Sequence, residues 1–215
     1  MTTTTTARAT APAGFAARLR EGTRGDHGSA ETSATMRDLA TGRIDRARLA
    51  WVLAQHLPVY RALEEVADAL AGDPVVAPFL VEGLARTAVL EQDLARLQVR
   101  GPRPAPGPAA VGYAERIEAT RAWPAGFVAH HYTRYLGDLS GGQHIGRALA
   151  RAHPELELGF YTFTGIDPGA VKDAYRAALD AAPWDGEEQA AVIAEVRMAY
   201  DLSARLVADP ESAPA

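Results

Sequence analysis

The chain has no cysteine in its 215 residues. That removes disulfides, thiolate metal sites, cysteine nucleophiles and thioether-attached cofactors together. Basic runs longer than two or three residues are also missing and the net charge is −5, so nothing encourages a nucleic-acid partner. No apolar stretch approaches the roughly 18 residues that span a bilayer. The longest uncharged runs, 49–60 and 122–133, both contain glutamine or histidine. The opening Met1 to Arg8 is threonine-rich and lacks the apolar core of a secretion signal. These absences lead us to expect a soluble cytoplasmic protein. Alternating strand patterns and internal repeats are missing as well. Even lysine is scarce: Lys172 stands alone among 22 basic residues.

What the chain does have is helical periodicity. Its length and 47% hydrophobic content suffice for one well-buried domain. The periodicity predicts helices over 13–31, 34–41, 46–71, 75–98, 109–121, 125–152, 168–181 and 187–208. Ladders such as Leu63/Val66/Ala67/Leu70 and Leu84/Ala88/Leu94/Leu97 supply buried faces. Asp45, and Asp167 before Pro168, read as N-caps. The Gly/Pro-rich stretch 101–108 must interrupt the helices and reads as an internal loop. The expected architecture is a single all-α domain over 13–208, a bundle of about eight helices, between disordered tails 1–12 and 209–215.

Four glycines cluster over residues 137–146 of the 125–152 helix: Gly137, Gly141, Gly142 and Gly146. Each costs roughly 0.5–1 kcal/mol relative to alanine in a helix interior, so four together need a reason. Gly137/Gly141 and Gly142/Gly146 are i,i+4 pairs, which bare the backbone along one strip. A bare strip lets something flat approach closely, or lets the helix bend. Asp138 is the one carboxylate within it. Its alternative role is that of a surface acid pairing with Arg134 or Arg147.

The six histidines are His27, His56, His130, His131, His144 and His153. None lies in a Glu-x-x-His pair, against di-iron carboxylate bundles, and zinc-hydrolase and deaminase patterns are missing. What remains is a site with one strong metal ligand from the protein, the situation of haem. His27 is the best placed, because Arg20, Arg24, His27 and Glu31 form one helical stripe. A haem ligand needs a neutral imidazole, an acceptor that fixes its tautomer, and cations for the ligand's carboxylates. From the stripe alone, a solvated charged face with an incidental histidine is the plainer reading. His130 and His131 read as packing or surface residues, and His56, His144 and His153 as structural or exposed.

The run Tyr132-Thr-Arg134-Tyr-Leu-Gly137-Asp138-Leu-Ser-Gly141-Gly142-Gln143 resembles, almost letter for letter, the distal-helix signature of the haem oxygenases. His27-Gly-Ser-Ala-Glu31 resembles that family's proximal-histidine segment. Tyr60-Arg-Ala-Leu-Glu64-Glu65, Leu90-Glu-Gln-Asp93-Leu94, Phe160-Tyr161-Thr-Phe163 and Lys172-Asp-Ala-Tyr175-Arg176 resemble further family segments in the same order. The resemblance covers about residues 15–207 and overturns the plain reading of His27.

That resemblance implies haem b as cofactor and substrate, opened oxidatively to biliverdin, carbon monoxide and ferrous iron. Oxygen and reducing equivalents would be needed, the latter from an electron-donor protein of the ferredoxin, flavodoxin or flavin-reductase kind. His27 matches the proximal iron ligand and Glu31 its nearby carboxylate. Gly137 and Gly141 match distal glycines whose backbone faces the iron, and Asp138 the carboxylate that organises distal water. Arg134 and Tyr60 match that network's hydrogen-bond partners. Arg20, Tyr132, Lys172 and Arg176 match groups that meet the haem propionates, and Arg24 extends the basic stripe. Ser203 stands where the family often has asparagine, and Val207 where it often has phenylalanine. Membrane-bound members carry an apolar C-terminal anchor, which this sequence lacks, so a soluble bacterial-type enzyme is expected. A non-catalytic haem carrier is the alternative, against which Asp138 and the glycine strip argue. A thiaminase-type enzyme would need the cysteine the chain lacks.

Overall fold

The computed structural model describes residues 14–26, 33–97 and 103–208. The expected tails, His27 and Glu31 lie outside the described residues. All regular structure among the described residues is helical. No helix among them is long and apolar enough to cross a membrane.

The helices are α1 (Phe15–Gly22), α2 (Ala34–Thr41), α3 (Arg46–Ala69), α4 (Thr87–Leu97), α5 (Pro108–Glu118), α6 (Pro124–His131), α7 (Gln143–Ala152), α8 (Pro168–Ala181) and α9 (Gly186–Leu206). Their starts follow capping chemistry. Ser33 accepts the Met36 N–H, Asp45 that of Arg48, Asp167 those of Gly169 and Ala170, and Asp185 that of Glu188. α3 forms the spine, packing on α4 and α5, while α9 packs on α6 and α5. α2 lies against α7, and α1 against α8. Leu49, Val52, Leu53, Val59, Tyr60, Leu63 and Val66 bury one side of α3 completely.

Three expected helices turn out differently. The 13–31 pattern breaks at Thr23, which caps α1 after Gly22 and turns its hydroxyl back to the Leu19 carbonyl. Arg20 and Arg24 therefore do not share one unbroken helix, and the stripe drawn through them is interrupted. The 75–98 pattern does not form one helix, because the Asp73 carboxylate accepts the N–H groups of Val75 and Val76, with Pro74 between. That local turn outcompetes the apolar periodicity. A short 3-10 turn, Ala77–Phe79, follows, and α4 starts only at Thr87. There Glu64 accepts the N–H groups of Arg86 and Thr87 at 2.5 and 2.9 Å.

The 125–152 segment is helical throughout but not one α-helix. Between α6 and α7 it widens into π turns over Tyr132–Leu136 and Asp138–Gly142, separated by Gly137. Single π turns inside α-helices are rare and concentrate at functional sites. Gly137 and Gly142 keep ordinary helical angles. The departure from α-helical geometry therefore lies in the widened hydrogen-bond pattern, not in unusual glycine backbone.

Candidate active site

The widened helix forms one wall of a cavity of about 410 Å³. Gly137, Asp138, Gly141 and Gly142 border it from the distal helix, Met36, Leu39 and Ala40 from α2, and Ser203 and Val207 from the end of α9. Beyond its own helical turn, a Cβ added at Gly137 would meet nothing within 4 Å among the described residues. Glycine there keeps space open beside the backbone. Gly146 serves a different purpose. A Cβ there would lie 3.0 Å from both the Cβ and the carbonyl oxygen of Tyr161, so its bareness admits the 160–163 segment. The single strip read from spacing is thus two surfaces, one open to the cavity and one filled by protein.

Asp138 is 7% exposed, far from the surface acid that was its alternative. The Tyr60 hydroxyl donates a short hydrogen bond to Asp138 Oδ2. Arg134 Nη2 donates to the Tyr60 oxygen at 3.0 Å and stands 4.0 Å from Asp138 Oδ1. Oδ1 itself has no hydrogen-bond partner among the described residues. Burial pushes the Asp138 carboxyl above the usual carboxylate range, against the pull of Arg134 and the bond from Tyr60. Burial likewise raises Tyr60. α3 carries Tyr60 and, one turn earlier, His56, which also borders the cavity.

Other side chains hold this wall in place. Asp93, fully buried, accepts the N–H groups of Gly159 and Phe160 at 2.7–3.0 Å. It thereby seats Phe160 against Tyr60, with ring centroids 5.3 Å apart. Tyr161 follows and borders both the cavity and a small neighbouring pocket near Gly146 and His153. Beneath the distal helix, Glu195 accepts from His130 Nε2 at 2.7 Å and from Arg116 through two bonds. Burial opposes the charge on Glu195, but those bonds outweigh it and hold its carboxyl at about 2. His131 bonds the Tyr175 hydroxyl at 3.1 Å, and burial lowers it to about 3.

Of the residues expected to meet a ligand's carboxylates, the structure places Tyr132 near Arg20 and Arg176, which both act on its phenol. Lys172 Nζ lies 3.4 Å from Ser140 Oγ. Arg176 bonds Asp173 at 2.6 Å, and exposed Arg24 pairs with Glu21 at 2.5 Å. Sequence reasoning missed His56, Tyr161 and His144 as cavity-lining groups, and Glu195 as the partner of His130. His56 sits four residues before Tyr60 in a helix, a spacing that could have flagged it. Glu195 lies 65 positions from His130 and offered no local signal.

The described residues form an all-helical bundle with a glycine-lined cavity, walled by a π-turned helix and a buried acid, phenol and guanidinium, the kind of site an enzyme builds around a flat ligand. The chain belongs to the haem oxygenase family, whose model, "Heme oxygenase", matches residues 13–209. It is 37% identical to heme oxygenase 1 of Rattus norvegicus over 199 residues, covering 87% of this chain and 68% of that protein. It is 34% identical to the heme oxygenase of Pyropia yezoensis, covering 87% and 82%. Among solved structures, the heme oxygenase of Leptospira interrogans matches with a TM-score of 0.83 at 32% identity, covering 91% of this chain and 98% of that one. Heme oxygenase-1 of the cyanobacterium Synechocystis, crystallised in complex with heme, matches with a TM-score of 0.83 at 29% identity, covering 91% of both chains.

Proposed function

We propose that this chain binds haem b against the glycine-lined wall and opens it oxidatively to biliverdin, carbon monoxide and ferrous iron in the cytoplasm, using oxygen and electrons from a donor protein. The buried Asp138–Tyr60–Arg134 set beside Gly137 carries this reading. Binding alone would need only a ligand, cations and apolar walls. The residues fit the group: open space stands where a Gly137 side chain would be, with Met36, Leu39, Ile145 and Val207 as apolar walls. His27 would hold the iron and Glu31 fix its imidazole tautomer, while Arg20, Tyr132, Lys172 and Arg176 would take the propionates. When bound, haem supplies iron for oxygen activation and the ring carbon that is attacked.

The protein's own part is placement and proton handling. Tyr60 spends its proton on Asp138 Oδ2, and its oxygen accepts from Arg134, so the phenol and guanidinium hold the acid in one orientation. Asp138 Oδ1 is left to hold water at the cavity edge. With a carboxyl raised by burial, Asp138 can pass a proton to that water and take one back. Bare backbone at Gly137 and Gly141 restricts where bulk can sit over the ligand's face. Charge-assisted contacts from the cationic rim set the ligand's in-plane rotation.

The test is to supply haem, a reductant and air, and to identify the product. Bleaching of the Soret band with formation of biliverdin is expected. A haem complex that stays intact through repeated reduction would make the protein a carrier instead.

A further inference from the structure

His56 is a buried imidazole with no part in the mechanism above, and its geometry is unusually constrained. It is 6% exposed and borders the cavity. Its Nδ1 lies 2.8 Å from the Val52 carbonyl oxygen. A carbonyl can only accept, so Nδ1 carries the proton and Nε2 presents a bare lone pair. Nε2 has no partner among the described residues. The ring cannot easily turn away: it stacks on Tyr60 with centroids 6.3 Å apart and meets Phe160 edge-on at 5.4 Å. The titratable and charged groups around it are Tyr60 on its own helix, Arg134 and Asp138 on the distal helix, and Tyr161 in the segment after Phe160. Burial, aided by Arg134, lowers His56 to about 3, so it stays a neutral acceptor.

A fixed acceptor in an otherwise largely apolar wall is costly unless something donates to it. Asp138 Oδ1 is a second acceptor on the same cavity, and both residues flank Tyr60. Among the described residues no protein donor reaches either atom, which leaves the cavity itself as the source of a donor, and water is the smallest that fits. We propose that His56 is a second anchor for the cavity water, its Nε2 taking the hydrogen that a water ordered beside Asp138 cannot place elsewhere. His56 is on this account a positioning residue. It orders the water that Asp138 uses and touches no reacting atom. The proposal rests on the haem oxygenase reading for its catalytic consequence, but not for the presence of the water.

The test compares wild type, His56→Leu and His56→Gln. In the ligand-free protein, water relaxation dispersion counts long-lived internal waters. His56→Leu should lose at least one, and His56→Gln, which keeps an acceptor, should retain it. In the ferric haem complex, the pH of the acid-to-alkaline spectral change should move by about half a unit or more in His56→Leu, roughly a threefold change in the equilibrium. His56→Gln should stay close to wild type. Haem affinity should be unchanged within about twofold in both, while biliverdin yield falls only in His56→Leu. If His56→Leu does not fold, His56→Met carries the same comparison. An unchanged water count in the apolar variant overturns the proposal. So does an equal spectral shift in Leu and Gln variants, which would make His56 a packing residue. Failure of wild type to bind haem or give biliverdin would instead remove the functional reading and leave the ligand-free water count standing.

Discussion

A carboxylate that is 7% exposed has to be held by something, and Asp138 is held on one oxygen only. Replacing it by alanine deletes the group that faces the cavity but leaves Tyr60 and Arg134 still bonded to each other. Asp138→Ala is therefore expected to bind haem with near-normal affinity while biliverdin yield falls at least tenfold, less than the roughly 10²–10⁴ of a positioned general acid because bulk water partly bypasses it. Asp138→Asn should be intermediate, since an amide still holds water without negative charge. Haem titration and product yield, measured side by side, check both. His27 lies outside the described residues, so its role is tested through chemistry alone. His27→Ala should keep haem in the cavity, lose turnover, and regain part of it when imidazole is added. Normal turnover without imidazole would remove His27 as the iron ligand.

The distal helix decides what each glycine is for. Gly137→Ala introduces a methyl that, outside its own helical turn, meets no atom of the described residues, and alanine is the better helix former by roughly 0.5–1 kcal/mol. The ligand-free variant should be more stable than wild type by about that amount, yet bind haem more weakly because the methyl occupies its space. Gly146→Ala should do the reverse. Its methyl would crowd the Tyr161 backbone at 3.0 Å, destabilising the fold by about 1–3 kcal/mol as other overpacked sites do. Urea unfolding of the two variants, together with haem titration, separates the cases. The sequence could show that four glycines needed a reason, because glycine's helix cost is local. It could not show two reasons, because the second depends on Tyr161 arriving from 15 residues downstream. Nor could it show the π turns, whose extra residue leaves the apolar pattern almost intact. The break at Asp73 was legible in principle: Asp-Pro followed by a second proline is turn chemistry, and the apolar ladder masked it.

For the molecule as a whole, helix number and order follow from periodicity and caps such as Asp45 and Asp167, which act within one turn of themselves. The Tyr60, Arg134 and Asp138 meeting was legible only through family resemblance, since α3 and the distal helix are 74 or more residues apart in sequence at these contacts. Buried titratable groups also give the whole fold a pH profile. His56 and His131 are held neutral, at about 3 against an ordinary 6.5. Below pH 6.5 the unfolded chain takes up protons that the folded chain refuses, so stability is lost as pH falls from 6.5 toward 3. At pH 5 each histidine removes about 2 kcal/mol. Glu195, at about 2 against 4.5, adds stability that is complete above pH 4.5 and lost on the way down to 2. Urea melts at pH 7 and pH 5 should differ by several kcal/mol, and His131→Phe should remove about half of that slope. An equal stability at the two pH values would mean that the histidines are hydrated. The near-absence of lysine has a practical side too. With Lys172 as the chain's one ε-amine, an amine-directed ester can report on a single place beside Ser140. Haem loading should slow acylation there and leave the chain's α-amine, an internal reference, untouched, turning a compositional oddity into a footprint of propionate docking readable by mass.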